Sequence, residues 1–589
     1  MSITQLEHLS NEIFYEIFDY LDGCFVYSIF SNLNIRFKYL FNDSSLPLKL
    51  NLSWTSKSTF EYYYNYIIIP NLNRIISLHI PNPLAIKSIL SLFSINNSFI
   101  RLESINFGRV NAAHITSLLT HLKKLPRLFS LSININNPKY DTHIIFQLIF
   151  LLPVLKYCKI SSENDESMFS IPILARKNEQ QESSIEYLII NSICEFDQLI
   201  AILSYTPRLT HLSCHSLYIG NDQIQIPIIV TTTTNLRKLS IELDATPFHI
   251  FKTFVSKISF QLEVLRISAK YENSYLDAKQ WQQLISCHMP HLRIFDFQFK
   301  SQLCDDEMKS IEYDKLIEQF NNKFWYERKW FFTYQNCRGD YGPFKIFYSI
   351  RPYRRNYYKL YERTTNNLDI STYQDNSMHL CRHILIINQW TNVNCSIQFP
   401  YATKLTLNGG FVDNIPLLIR SLSSIISLTQ ITDLVLEYNY LFMNKFLMLL
   451  QYLPNIKSLT IPQTSIIQTH DLSENEIETI LIISKRNHIK KISIIDRECC
   501  TLKQLHFLFD LCPQIEYLTI NLAEIYEDII IEFLISKMKE NNYRFFLLCL
   551  ARWNANIDMI KKIHLIINRE KLLDNYSLEL FKDNIYLWC

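Results

Sequence analysis

The chain is predicted to be α/β: a small all-helical N-terminal unit, then an α/β solenoid of stacked repeats interrupted by an inserted β-hairpin region. Three observations predict this. A six-residue apolar pattern recurs about every 27 residues. A helical stretch at the N-terminus lies outside that rhythm. An aromatic segment with clustered turn residues fills positions 298–400, where the rhythm lapses.

The N-terminal element is "LSNEIFYEIFDYLD" at 9–22. Leu9, Ile13, Ile17 and Leu21 fall at steps of four with Phe14 and Phe18 beside them, and Glu12, Glu16, Asp19 and Asp22 take other positions. That spacing puts a wide apolar face on one helix. Ser10 or Asn11 suits its N-cap, Gly23 ends it, and "FVYSIFSNLNIRFKYL" supplies further helical turns. A unit of about 40 residues is near the lower limit for burying a core unaided. Its surplus apolar surface must be covered by the rest of the chain or by another protein.

The repeat comes next. Its core, apolar-x-x-apolar-x-apolar, reads "IISLHI" at 75, "LESINF" at 102, "LFSLSI" at 128, "LKYCKI" at 155, "IEYLII" at 185, "LTHLSC" at 209, "LRKLSI" at 236, "LEVLRI" at 262 and "LRIFDF" at 292. Successive starts are 27, 26, 27, 30, 24, 27, 26 and 30 residues apart. A second run reads "ATKLTL" at 402, "ITDLVL" at 431, "IKSLTI" at 456, "IKKISI" at 489 and "IEYLTI" at 515. The last two apolar positions of each core share one face of a strand. Helical spacing precedes most cores, and Pro126, Pro153, Pro207, Pro290, Pro454 and Pro513 mark the turn between helix and strand. A helix, turn and strand in this length bury nothing alone and a continuous core when stacked.

Residues 298–400 break the pattern. Trp330, Phe332 and Tyr334 alternate on one side of "NCRGDYGP", and Phe344, Ile346, Tyr348 and Ile350 on the other, which predicts a β-hairpin. Downstream, Arg351, Arg354, Arg355, Lys359 and Arg363 interleave with tyrosines. Such a basic patch suits an acidic or phosphorylated peptide, or a single-stranded nucleic acid. It equally suits tyrosines packed inward with their charges solvated. The helical stretch and "NIYLWC" after residue 525 read as a C-terminal cap.

Composition narrows the function. Net charge is +2, apolar residues make up 48% and charged ones 19%. This supports a large core and argues against nucleic acid or anionic membrane as an obligatory partner of the whole chain. No apolar run reaches the ~18–20 residues of a membrane span. The first residues are acidic where a signal peptide is basic, so a cytoplasmic or nuclear location is expected. Fourteen cysteines without CxxC pairs read as reduced fillers. With only 7 glycines, phosphate-cradling glycine loops are nearly excluded. Motifs of hydrolases, zinc proteases and P-loop enzymes are absent. His379, Cys381 and His383 would share a strand face, without a fourth ligand nearby. No catalytic residue, metal site or cofactor is therefore expected.

Two resemblances add to this. The hexads over roughly 75–300 and 400–525 resemble leucine-rich repeats, with that family's following Asn present at Asn136 and Asn439 and other residues in most units. The N-terminal "NEIFYEIFDYLD … NIRFKYL" resembles the F-box, with Phe37 in the place of the usual Trp and Ser10 where Pro is most common. The boundaries expected are an F-box-like domain at 1–50, a first repeat run at 51–300, the insert at 301–395, a second run at 396–525 and the cap at 526–589. The resemblance implies the non-catalytic, substrate-recognition subunit of a Skp1–cullin–F-box ubiquitin ligase. It implies Skp1 contacts at Leu9, Ser10, Ile13, Ile17, Leu21 and Phe37, with a cullin reached through Skp1. The target protein, whose identity is not read from sequence, would meet a concave strand face at Ser130, Ser132, Asn134, Tyr157, Lys159, His211, Ser213, Lys238, Glu242, Arg266 and Asp296. The alternative is an interaction scaffold whose N-terminal helices only cap the repeats.

Overall fold

The computed structural model describes residues 6–31, 33–43, 45–53, 55–95, 98–136, 142–162, 169, 182–218, 235–302, 313–339, 342–351, 357–361, 381–387, 398–408, 415–437, 443–462, 474–494, 500–521, 527–540, 545–551, 556–581 and 584–589. Two compact units divide the chain, one of residues 1–267 and 284–292, the other of 268–283 and 293–589.

The first unit begins with three short helices, α1 (Asn11–Tyr20), α2 (Gly23–Phe30) and α3 (Ile35–Asn42). Asp22 caps α2 by accepting from the Phe25 amide, and Asn34 caps α3 by accepting from the Phe37 amide. Their common core is aromatic. Phe14 meets Phe37 edge-on at 4.8 Å, and Phe30 lies 5.2 Å from Phe18 and 5.3 Å from Phe37. Arg36 ties the entry of α1 to α3, donating to the Glu7 and Leu9 carbonyls and to Asn11 Oδ1.

Two large, mostly parallel sheets follow. The first has twelve strands: β1 (Leu48–Asn51), β2 (Ile75–Ile80), β3 (Ser104–Asn111), β4 (Ser130–Asn136), β5 (Tyr157–Ser162), β6 (Tyr187–Glu195), β7 (His211–Tyr218), β8 (Lys238–Asp244), β9 (Val264–Lys270), β10 (Ile294–Gln302), β11 (Phe331–Gly339) and β12 (Gly342–Arg351). The order is sequential through β10, then β12 and β11. The second has ten: β13 (Tyr357–Tyr361), β14 (His383–Ile387), β15 (Lys404–Asn408), β16 (Asp433–Glu437), β17 (Ser458–Ile461), β18 (Lys491–Ile494), β19 (Tyr517–Asn521), β20 (Leu547–Ala551), β21 (Ser577–Phe581) and β22 (Asn584–Trp588). Its order is sequential through β20, then β22 and β21, the last two antiparallel.

The hexads set the register. Leu78, Ile105, Leu131, Cys158, Leu188, Leu212 and Leu239 align as one buried column across β2–β8, and Ile133, Ile160, Ile190, Cys214 and Ile241 as another across β4–β8. Period-two alternation puts both columns on one face, and the polar positions between them on the other. The six prolines named above all sit in the turn before a strand. Gly108 marks a bulge where β3 shifts register between Phe107 and Arg109. A Cβ there would lie 2.4 Å from the Pro81 carbonyl oxygen, so only glycine permits this approach.

The expected fold class needs correction. The molecule is α/β with two large sheets, not one leucine-rich-repeat-like solenoid with an inserted β-hairpin region, and the described residues form no closed solenoid. The physical reason is strand pairing. The hairpin β11–β12 joins antiparallel to β10 and ends the first sheet, while β13 and β14, from the same expected insert, pair parallel with β15 in the second. An aromatic cluster holds the hairpin in place. Phe320 lies 4.8 Å from Phe332, 4.9 Å from Trp325 and 5.0 Å from Phe347, and Phe332 stacks on Phe347 at 5.6 Å. Among the described residues, no helix is long and apolar enough to cross a membrane.

Candidate protein-binding surfaces

The N-terminal helices bury their phenylalanines and expose their other apolar residues. Phe14, Phe18 and Phe37 are core. Phe37 is 1% exposed, so its expected direct contact with a partner is corrected to a structural one. Ile13 is exposed, Ser10 is exposed, and Leu9, Ile17 and Leu21 are half-buried. Five further exposed side chains escaped the sequence analysis: Tyr20, Phe25, Leu33, Ile35 and Tyr39, the last two 72% and 74% exposed. Phe25 and Ile29 on α2, and Ile35 and Tyr39 on α3, are pairs four residues apart, so each helix presents an apolar stripe.

This unit is pinned to the first sheet by polar groups. The buried Arg74 guanidinium donates to the Phe41 and Leu46 carbonyls and to Asn71 Oδ1, and lies over the Phe41 ring. Asp22 accepts from the Asn51 amide, and Lys49 pairs with Asp19 at 2.8 Å. Burial pushes the Asp22 carboxyl up, while the amides of Asn51, Phe25 and Cys24 oppose that shift.

The polar face of the first sheet carries most of the other expected contacts. Register places Tyr157, Tyr187, His211 and Lys238 side by side on β5–β8, and Lys159, Ile189, Ser213 and Ser240 in the next row. Ser130 and Ser132 continue these rows on β4. Lys238 is exposed, while Ser130, Ser132, Asn134, Tyr157, Lys159, His211, Ser213, Glu242 and Arg266 are half-buried. Tyr187 was missed, although it holds the same hexad position as Tyr157 and His211. Its ring stacks on His211 at 4.0 Å and 18°. His211 Nδ1 meets Thr210 Oγ1 at 2.7 Å. Burial, then the charges of Lys238 and Arg237, push the His211 pKa down to about 4, so the ring is neutral near pH 7.

Asp296 does not belong to this surface. It is 1% exposed and accepts a hydrogen bond from Ser349 on β12, the strand that pairs with β10. Of the basic patch, Arg354, Arg355 and Arg363 lie outside the described residues, as does Asn439; Arg351 closes β12 and Lys359 lies on β13. His379 also lies outside them. Cys381 is buried with its thiol pushed up to about 12 by that burial, and His383 Nε2 meets Thr406 Oγ1 at 2.9 Å. Among the described residues no three His, Cys, Asp or Glu side chains gather as a metal site. Scans of the sequence against protein-family models and against curated proteins return no match.

Proposed function

We propose that this chain is a non-catalytic adaptor. Its N-terminal helices dock on a Skp1-type partner, itself bound to a cullin, and the polar face of its first sheet holds a target protein for ubiquitin transfer. The contribution to chemistry is proximity: the adaptor raises the local concentration of target lysines near a conjugating enzyme.

The observation that carries the proposal is the mismatch within α1–α3. The three helices complete an aromatic core of their own and still leave Ile13, Phe25, Ile29, Leu33, Ile35 and Tyr39 in solvent. Apolar residues crowded on so small a unit are the mark of an interaction surface. The F-box resemblance of residues 9–40 supplies the identity of the partner.

A second possibility has its own support. The Arg74, Asp22 and Lys49 contacts fasten the helices to the start of the first sheet, as a cap would be fastened. One experiment separates the two: purified Skp1 is offered to the full-length protein and to an Ile13→Asp/Ile17→Asp variant with an unchanged melting midpoint. An adaptor binds as wild type and loses at least tenfold in the variant, about 1.4 kcal/mol or more. No binding by the folded wild type leaves the scaffold with a cap.

A further inference from the structure

We propose that the polar face of the first sheet recognises an extended acidic segment of its target, with two carboxylates about four residues apart on either side of an apolar or aromatic side chain. This inference rests on the adaptor proposal and names the class of target that the surface fits.

The geometry comes from the register. Tyr157, Tyr187, His211 and Lys238 are neighbours on β5–β8, and Lys159 stands one row further along β5. Across β2–β8 these two rows of side chains contain no carboxylate. The acidic residues flanking them at the strand entrances are already neutralised: Glu103 pairs with Arg127 at 2.9 Å, Glu186 with Lys156 at 3.2 Å and Glu263 with Arg237 at 3.5 Å. Lys159 and Lys238 have no ion-pair partner among the described residues. Glu242 stands one row beyond Ser240 on β8 and has an interaction of its own, so within the two rows the charged side chains are Lys159 and Lys238.

Between the two lysines lies the stacked Tyr187–His211 pair, an uncharged platform for a flat or branched side chain. Its neighbour Ser213 supplies a hydroxyl. Lys159 and Lys238 lie on strands three spacings apart, about 14 Å. An extended chain rises about 3.4 Å per residue, so carboxylates at i and i+4 reach both lysines while residue i+2 covers the rings. Lysine ammonium groups on flexible stems tolerate small errors in that span.

The test uses the full-length protein and two fluorescent peptides of equal length in a Gly/Ser background. One carries Glu, Tyr and Glu at i, i+2 and i+4, and the other carries Lys in place of each Glu. Fluorescence polarisation is expected to show binding of the acidic peptide only. Affinity should fall about tenfold in Lys159→Glu/Lys238→Glu. It should persist in Lys159→Arg/Lys238→Arg and weaken in Tyr187→Ala, all three variants having wild-type melting midpoints. Equal binding of the two peptides, no binding of either, or indifference to charge reversal overturns the inference.

A Ser132→Trp/Ser213→Trp variant separates this failure from that of the adaptor proposal. If peptides selected from a random library on the wild type are blocked by the tryptophans but not by charge reversal, the face still binds targets and only the acidic class is wrong. If no selected peptide responds to the tryptophans, the target-binding role of the face falls as well. Skp1 binding is measured on its own.

Discussion

The two ends of the first sheet are closed by different physics. At one end, the edge strand β1 is met by helices α1–α3 through polar clamps, chiefly Arg74 and Asp22, and through Gly23 packed on Leu48 and Leu50. At the other end, β10 is closed by a hairpin through interlocking rings: Phe295, Phe297, Phe320, Trp325, Trp330, Phe332 and Phe347 form one connected aromatic cluster. The helical unit still keeps Ile13, Phe25, Ile35 and Tyr39 exposed. Ring packing buries Phe295, Phe297, Phe320, Trp325, Trp330, Phe332 and Phe347 almost completely. The difference separates a closure that leaves apolar side chains exposed, the surface proposed for a partner, from one dominated by ring packing.

The largest effect should come from the aromatic closure. Trp325→Ala removes a fully buried indole at the centre of the cluster and should cost about 3–5 kcal/mol in chemical denaturation. Its indole nitrogen has no hydrogen-bond partner among the described residues, whereas that of Trp281 donates to the Tyr275 carbonyl at 2.7 Å. Trp325→Phe should therefore be milder than Trp281→Phe, because the latter also leaves a buried carbonyl without its donor. Equal losses in the two Phe variants would show that ring volume alone sets the stability of this end.

The polar closure should respond less. Arg74→Met keeps the stem's packing but strands the Phe41 and Leu46 carbonyls and Asn71 Oδ1, a cost of about 2–3 kcal/mol. The comparison sharpens if Skp1 affinity is measured on the same variant. An interface held in place by the clamp should weaken on loosening, while an independent helical unit should bind as before.

These contrasts also show what the sequence could and could not disclose. Strand positions were legible because each hexad carries its own period, and the six prolines marked the turns because a helix cannot continue through them. The splitting into two sheets was not. It depends on β12 pairing with β10 some 50 residues upstream, as in Phe299 opposite Phe347, and on rings from several elements meeting there. No local pattern encodes which of two partners a strand chooses. In the N-terminal helices the step of four from Leu9 to Leu21 marks the exposed and half-buried side of the helix, and the core lies one position over on Phe14 and Phe18. A helix with apolar residues on most of its surface does not announce which side faces inward. Asp296 was misplaced because alternation tells which face a residue takes but not whether that face is open: Asp296 is buried and bonded by Ser349 of the neighbouring β12.

The smallest effect probes the polar closure by pH. Tyr15 donates its hydroxyl to Asp43 Oδ2 at 2.6 Å. That bond, with those from the Ser45 amide and hydroxyl, holds the Asp43 carboxyl down to about 2 from its ordinary 3.8. The same bond leads the causes that push Tyr15 up to about 12 from 10.0. A carboxyl whose folded pKa is depressed adds stability that is present above the unfolded value and disappears as pH falls through the folded one. A phenol whose folded pKa is raised adds stability that is present below the unfolded value and disappears as pH rises through the folded one. Tyr15→Phe should thus lower the melting midpoint by a small, constant amount between about pH 5 and 9. The gap from wild type should narrow below pH 3.8 and again above pH 10, where the bond no longer favours the fold. Carbon-detected titration of the Asp43 carboxyl reads the same bond directly, and its midpoint should rise in Tyr15→Phe while remaining below 3.8, because the Ser45 bonds persist. An unchanged midpoint would assign the depression to Ser45 and remove Tyr15 from the closure.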